Sequence, residues 1–290
     1  MRILGATLLL FFVVQDLYAS GAFPIEGPGS TLIGRTLRYT IKDKETLIEL
    51  ARRFDIGYNE IVSANRGVDP WVPEKGTDVV IPTSWIIPEV MDEGILINLA
   101  EMRLYLFLRV GHKRYVRTFP IGIGREGFET PEGTYRIVAM IRDPVWHVPE
   151  GIRRERPELP PYIPPGPENP LGRYWLQLSL RGYGIHGTNR PFGIGRMVSH
   201  GCIRLYPEDI ETLVHYVRIG TMVRIINKPL KVTRHNNRVY IEIETPSSGP
   251  ILQQRIIEEL KRHRLLRYVN KERLMDAVQN PTGLPTVISN

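Results

Sequence analysis

Residues 183–213 read YGIHGTNRPFGIGRMVSHGCIRLYPEDIETL. They set Cys202, the one cysteine of the chain, beside His186 and His200 in a segment rich in glycine. Gly184, Gly187, Gly193, Gly195 and Gly201 let the backbone turn tightly there. A thiol attacks a carbonyl as the thiolate, and a neighbouring imidazole takes its proton. Gly201 leaves room for the incoming carbonyl, and the N–H groups of Gly201 and Cys202 are expected to donate to the oxyanion that develops. On chemical grounds this is a thiol acyl-transfer site. An inert buried thiol is the commonest fate of a lone cysteine, but this one sits among His, Ser and Gly. A zinc site built from His186, His200 and Cys202 lacks a fourth ligand at any usual spacing. No metal and no cofactor are expected.

Working outward, Gly94 to Ile226 is dominated by strand signals. ILINLAEMRLYLFL and YVRTFPIGI predict a hairpin turning at Gly111, and GTYRIVAMI, YWLQLSL and GTMVRII are further β-rich runs. One strong helix is predicted, from about Glu208 to Val217, following Tyr206-Pro207. Many strands with one helix imply a β-rich sandwich or barrel-like domain over 92–226. GIGREG at Gly122–Gly127 matches a dinucleotide-binding pattern. The following ETPEGTY carries Pro131 and Gly133, which forbid the helix that pattern needs. Between two strand runs lies DPVWHVPEGIRRERPELPPYIPPGPENPLGR, residues 143–173, whose prolines exclude a helix or an interior strand. A loop of that length in a compact domain is usually functional or disordered; Trp146, Tyr162 and the arginine cluster suggest a lid over a site, with a floppy surface insertion as the alternative.

Residues 1–19 have the order of a secretory signal peptide: Arg2, an apolar run from Ile3 to Val14, then small residues. That run is too short to span a bilayer, so no stable membrane insertion is expected after cleavage. Residues 20–36 read as a linker. In 37–83, LRYTI predicts a strand, ETLIELARRF an amphipathic helix, NEIVSAN a second helix capped by Asn59, and TDVVIP a second strand. Residues 227–290 form a C-terminal α+β extension. It has a strand pair turning at Asn236-Asn237 and a basic amphipathic helix with Ile251, Ile256, Leu260 and Leu265 near one face.

The chain has 290 residues, 38 Lys+Arg and 31 Asp+Glu, with a net charge of +7. That balance suits an anionic polymer. Nucleic acid is not expected as a partner, because the basic residues are scattered and export removes it. A single cysteine excludes an internal disulfide.

Two resemblances follow. The βααβ order at 37–83, with YTI, TLIELA, IVSAN, VDPW and DVVIP, resembles a LysM carbohydrate-binding module. That implies peptidoglycan binding in a groove between the turns Ile41–Glu45 and Asn65–Val72. HGTN…SHGCIRL, with INLAEMRLYLF, FPIGIGREGFETPEGTY and GTMVRII, resembles the L,D-transpeptidase (YkuD-type) catalytic domain over about 92–226. The whole arrangement looks like the periplasmic L,D-transpeptidases of Gram-negative bacteria. The resemblance implies Cys202 as nucleophile, His186 as general base and the Gly187 carbonyl as the group orienting the ring. Ser199 and His200 would shape the pocket, Gly201 would serve the oxyanion hole, and Arg204 would hold a substrate carboxylate. Peptidoglycan stems would be the acyl donors, with another stem or an outer-membrane lipoprotein as acceptor. The alternative is a non-catalytic peptidoglycan-binding scaffold.

Overall fold

The computed structural model describes residues 21–27, 31–244 and 250–290. The expected signal peptide, 1–19, and the side chain of Ile251 lie outside the described residues. No helix among the described residues is long and apolar enough to cross a membrane.

The segment read as a linker contributes two strands, β1 (Phe23–Ile25) and β2 (Leu32–Gly34). Three-residue strands carry no readable period, and each finds its partner far along the chain. Gly34 is required where it stands: at φ 72° a Cβ would fall 2.1 Å from the Thr83 carbonyl oxygen. Next come β3 (Leu37–Thr40), α1 (Leu47–Arg53), α2 (Tyr58–Ala64) and β4 (Asp78–Ile81), with β3 antiparallel to β4. This is the expected strand–helix–helix–strand unit. Thr46 and Glu49 form a capping box at α1. α2 starts two residues earlier than expected, with Gly57 rather than Asn59 at its N-cap, and the Glu60 side chain accepts the Gly57 N–H. β5 (Ser84–Ile86) then pairs with β2.

The β-rich half follows with β6 (Gly94–Asn98), β7 (Arg103–Val110), β8 (Lys113–Pro120), β9 (Ile123–Gly124), β10 (Gly133–Arg142), β11 (Trp146–His147), α3 (Glu150–Glu155), β12 (Tyr162–Ile163), β13 (Tyr174–Leu178), β14 (Gly184–His186), β15 (Met197–Ser199), β16 (Ile203–Arg204), α4 (Pro207–Leu213) and β17 (Met222–Ile226). In place of two facing sheets there is one nine-stranded sheet, ordered β1-β8-β7-β6-β17-β10-β13-β14-β16. Its central strands are covered on both sides by alternation. Ile95, Ile97, Leu104 and Leu106 face a core with Ile210 and Leu213 of α4. Leu96, Tyr105 and Phe107 face Leu47, Leu50 and Ile61 of the small N-terminal unit. The continuous apolar runs ILIN and LYLF therefore serve two cores. The lid segment is less irregular than its prolines suggest, holding α3 and a β11–β12 pair. The prolines fall at its ends and turns.

The N-terminal unit is joined to the sheet by more than apolar contact. Glu60 of α2 meets the fully buried Arg103 of β7, with Nη2 to Oε2 at 2.8 Å and Nε to Oε1 at 3.1 Å. Trp85 Nε1–H donates to the same carboxylate at 2.8 Å and stacks under the guanidinium at 4.1 Å. Arg52 pairs with Glu208 at 2.7 Å.

The extension contains β18 (Leu230–His235), β19 (Arg238–Ile243), α5 (Pro250–Arg262), α6 (Lys271–Gln279) and β20 (Thr286–Val287), the three strands forming one sheet. Asn236 and Asn237 both take positive φ in the two-residue hairpin turn. Ile256, Leu260 and Leu265 are buried in the core of this unit. At its seam with the nine-stranded sheet, the buried Lys231 donates to Glu101 and Glu242. Glu101, Glu242 and Glu244 place carboxylate oxygens within 4.8 Å of one another. The Lys231 ammonium partly neutralises this acidic cluster and ties three elements together.

Candidate active site

β14 and β16 run parallel, with Ile185 opposite Ile203 and His186 opposite Arg204. Alternation puts His186 and Arg204 on one face. Cys202 enters β16 two residues before Arg204, and its sulfur is faced by the Gly184 N–H and the Arg204 charge. The fold thus gathers the His, the Cys and the Arg singled out in the sequence.

His186 is 3% exposed. Its Nδ1 lies 2.7 Å from the Gly187 carbonyl oxygen. A carbonyl only accepts, so the proton is on Nδ1 and Nε2 keeps its lone pair. Burial, aided by the Arg204 charge, depresses this imidazole to about 3, against the opposing pull of the Gly187 and Leu171 carbonyls. The ring of Trp175 on β13 lies 5.6 Å from the ring of His186. The half-buried Cys202 donates its S–H to the Gly182 carbonyl at 3.7 Å. Burial holds the thiol above its ordinary range, outweighing the Gly184 N–H and the Arg204 charge. Both shifts favour the neutral forms, thiol for Cys202 and imidazole for His186.

Arg204 has no carboxylate partner among the described residues, and its Nε is buried without any hydrogen bond. Burial lowers its affinity for the proton, and the charge of Arg190 acts in the same direction. An underpartnered guanidinium beside the thiol is suited to an anionic group.

Ser199 and Gly201 differ from expectation. Ser199 is buried, accepts the Gly201 N–H at 3.0 Å and donates to the Cys202 carbonyl at 2.6 Å. It braces the loop rather than lining a pocket. The Gly201 N–H, engaged by Ser199, is not free for an oxyanion, whereas the Cys202 N–H has no acceptor among the described residues. Gly201 itself is irreplaceable locally: at φ 101° a Cβ would sit 2.5 Å from Tyr183 Cε1.

His200 points to the lid. Its Nε2 lies 3.2 Å from Glu155 Oε2 of α3 and 3.0 Å from Arg125 Nη2, and Arg125 pairs with Glu155 at 2.6 Å. Phe128 packs edge-on to the His200 ring at 4.6 Å. The other end of the lid is pinned by the buried Asn169, whose amide donates to the carbonyls of Pro144, Ile163 and Pro164. Thr130, Trp175, Tyr183, Arg125 and Glu155 all went unmarked in the sequence. ETPEGTY serves in the sequence as a helix breaker and as part of the family motif, with no role given to Thr130, yet Thr130 bonds the Ser199–Cys202 loop. A cleft of about 540 Å³ elsewhere, with Glu93, Arg109, His215 and Arg218 among its lining, includes none of these residues.

Residues 92–225 match the family model of the L,D-transpeptidase catalytic domain (YkuD), and residues 39–82 match that of the LysM domain. The chain is 38% identical over 248 residues to "Probable L,D-transpeptidase ErfK/SrfK" of Salmonella typhimurium, covering 82% of this chain and 79% of that one. It is 39% identical over 234 residues to "Probable L,D-transpeptidase YbiS" of Escherichia coli K12, covering 78% and 76%. With the glycine-rich His186–Cys202 site in place behind a LysM domain, the chain belongs to the YkuD L,D-transpeptidase family, enzymes that act through a cysteine.

Proposed function

We propose that this chain is a periplasmic L,D-transpeptidase that works on peptidoglycan tetrapeptide stems through a thioester at Cys202. The observation that carries the reading is the tautomer of His186: with Nδ1–H donated to the Gly187 carbonyl, Nε2 keeps its lone pair, and Arg204 stands beside both the imidazole and the Cys202 sulfur. Cys202 Sγ attacks the carbonyl on the L-centre side of diaminopimelate, and its proton passes to His186 Nε2. The carbonyl π pair moves onto oxygen and returns as the C–N bond breaks. D-Alanine leaves with the proton from His186, and a thioester remains. An acceptor amine then attacks the thioester and gives up a proton to His186, releasing the thiol. The acceptor is a second stem, giving a 3→3 crosslink, or the terminal lysine of an outer-membrane lipoprotein. Arg204 pairs with a stem carboxylate, and the LysM domain holds the glycan.

Muropeptide mass spectrometry of a deletion strain carrying either wild type or Cys202→Ala tests this. Wild type should restore 3→3 dimers or lipoprotein-derived remnants, and Cys202→Ala should restore neither. Equal products from both would sink the reading.

A further inference from the structure

We propose that Thr130 is the positioning residue for the oxyanion donor, fixing the Gly201–Cys202 peptide so that the Cys202 N–H stays free. The inference rests on the acyl-transfer reading above and deepens it.

Thr130 is 5% exposed and lies 71 residues from Gly201 in sequence. Its hydroxyl accepts the Gly124 N–H at 3.1 Å and donates to the Gly201 carbonyl at 2.9 Å. That carbonyl shares a planar trans peptide with the N–H of Cys202, so the two groups point in opposite directions. Holding the carbonyl toward Thr130 turns the Cys202 N–H away from it. Ser199 takes the neighbouring Gly201 N–H and the Cys202 carbonyl. Of the backbone groups around this peptide, the Cys202 N–H alone lacks a partner among the described residues. An unspent donor attached to the attacking residue is placed to meet the charge that forms on the substrate oxygen. Gly124 anchors the far end: a Cβ there would fall 2.1 Å from the Phe128 carbonyl oxygen, so this support is set by tight backbone packing.

The test separates carbonyl attack from simple thiol reactivity. Acylation by a carbapenem builds negative charge on oxygen: the sulfur–carbon bond forms, the ring C–N bond breaks, and the ring nitrogen takes the proton from the thiol. Alkylation by iodoacetamide expels iodide and builds no oxyanion. In Thr130→Val, acylation should slow by about tenfold to a hundredfold, while alkylation stays within about twofold. Thr130→Ser, which keeps the hydroxyl, should recover most of the acylation rate. Should the Val variant not fold, Thr130→Ala against Thr130→Ser makes the same comparison. Equal losses in both reactions, or no loss in either, would overturn the role of Thr130. Failure of wild type itself to acylate would instead strike the acyl-transfer reading.

Discussion

Two walls close on Cys202, and they are built from different forces. The inner wall, Ser199–Arg204 with His186, is held by buried hydrogen bonds between neutral groups: Ser199 to Gly201 and Cys202, Thr130 to Gly201, and His186 to Gly187. The outer wall, the lid, touches the site through Glu155, Arg125 and His200, whose side chains are 27–42% exposed. Buried bonds of the first kind lose their full desolvation cost when broken. Exposed ion pairs of the second kind are worth at most about 1 kcal/mol and are screened by salt. The difference sets a firmly bonded wall against a loosely tied one.

The largest effect should come from the inner wall. His186→Gln removes the base and should slow carbapenem acylation by about a hundredfold or more at pH 7. It should also change the pH profile. In wild type the imidazole near 3 stays basic across the working range, so the rate should be flat from pH 5 to 8, with no inflection near the ordinary histidine value. In the variant only the thiolate reacts, so the rate should climb about tenfold per pH unit. A wild-type inflection near 6.5 would contradict the neutral resting pair. Stability has the matching sign. The folded value of His186 lies below its unfolded one, so between about pH 3 and 6.5 the unfolded chain binds more protons. This contribution is complete above 6.5 and fades as pH falls toward 3, and acid melts of His186→Gln should lack it.

A smaller effect is expected from Ser199→Ala, which deletes two buried bonds at a cost of about 1–3 kcal/mol. Acylation should fall about tenfold with little change in the apparent affinity for the carbapenem. An unchanged rate would show the loop to be held without it.

The smallest effect belongs to the lid. Glu155→Gln should alter turnover by no more than about threefold, and raising salt in wild type should move it the same way. Hydrogen exchange should quicken in 146–163 while the strand at 184–186 stays protected. Salt-independent lid exchange would break the contrast between the walls.

The site's centre was legible because its chemistry is local: HGT and SHGC place a base, a nucleophile and small residues within seventeen positions of each other, from His186 to Cys202. Its supports were not, because they arrive through long-range pairing. Thr130 is held against Gly124 of β9, which pairs with β15, and Glu155 approaches from a segment whose prolines masked α3. The same holds for the fold. The LysM unit and the hairpin at Gly111 were readable from period and turn chemistry. The strands within 20–36 and the single curled run of nine strands depend on partners that no window of sequence contains.

The ion pair between Glu60 and Arg103 settles how this protein comes apart. Cutting the chain between the glycan-binding unit and the catalytic half would strip Leu96, Tyr105, Phe107 and Val116 of their cover and maroon a guanidinium in greasy surroundings. Neither fragment would keep its apolar faces covered, so parting the two halves would cost each of them buried surface.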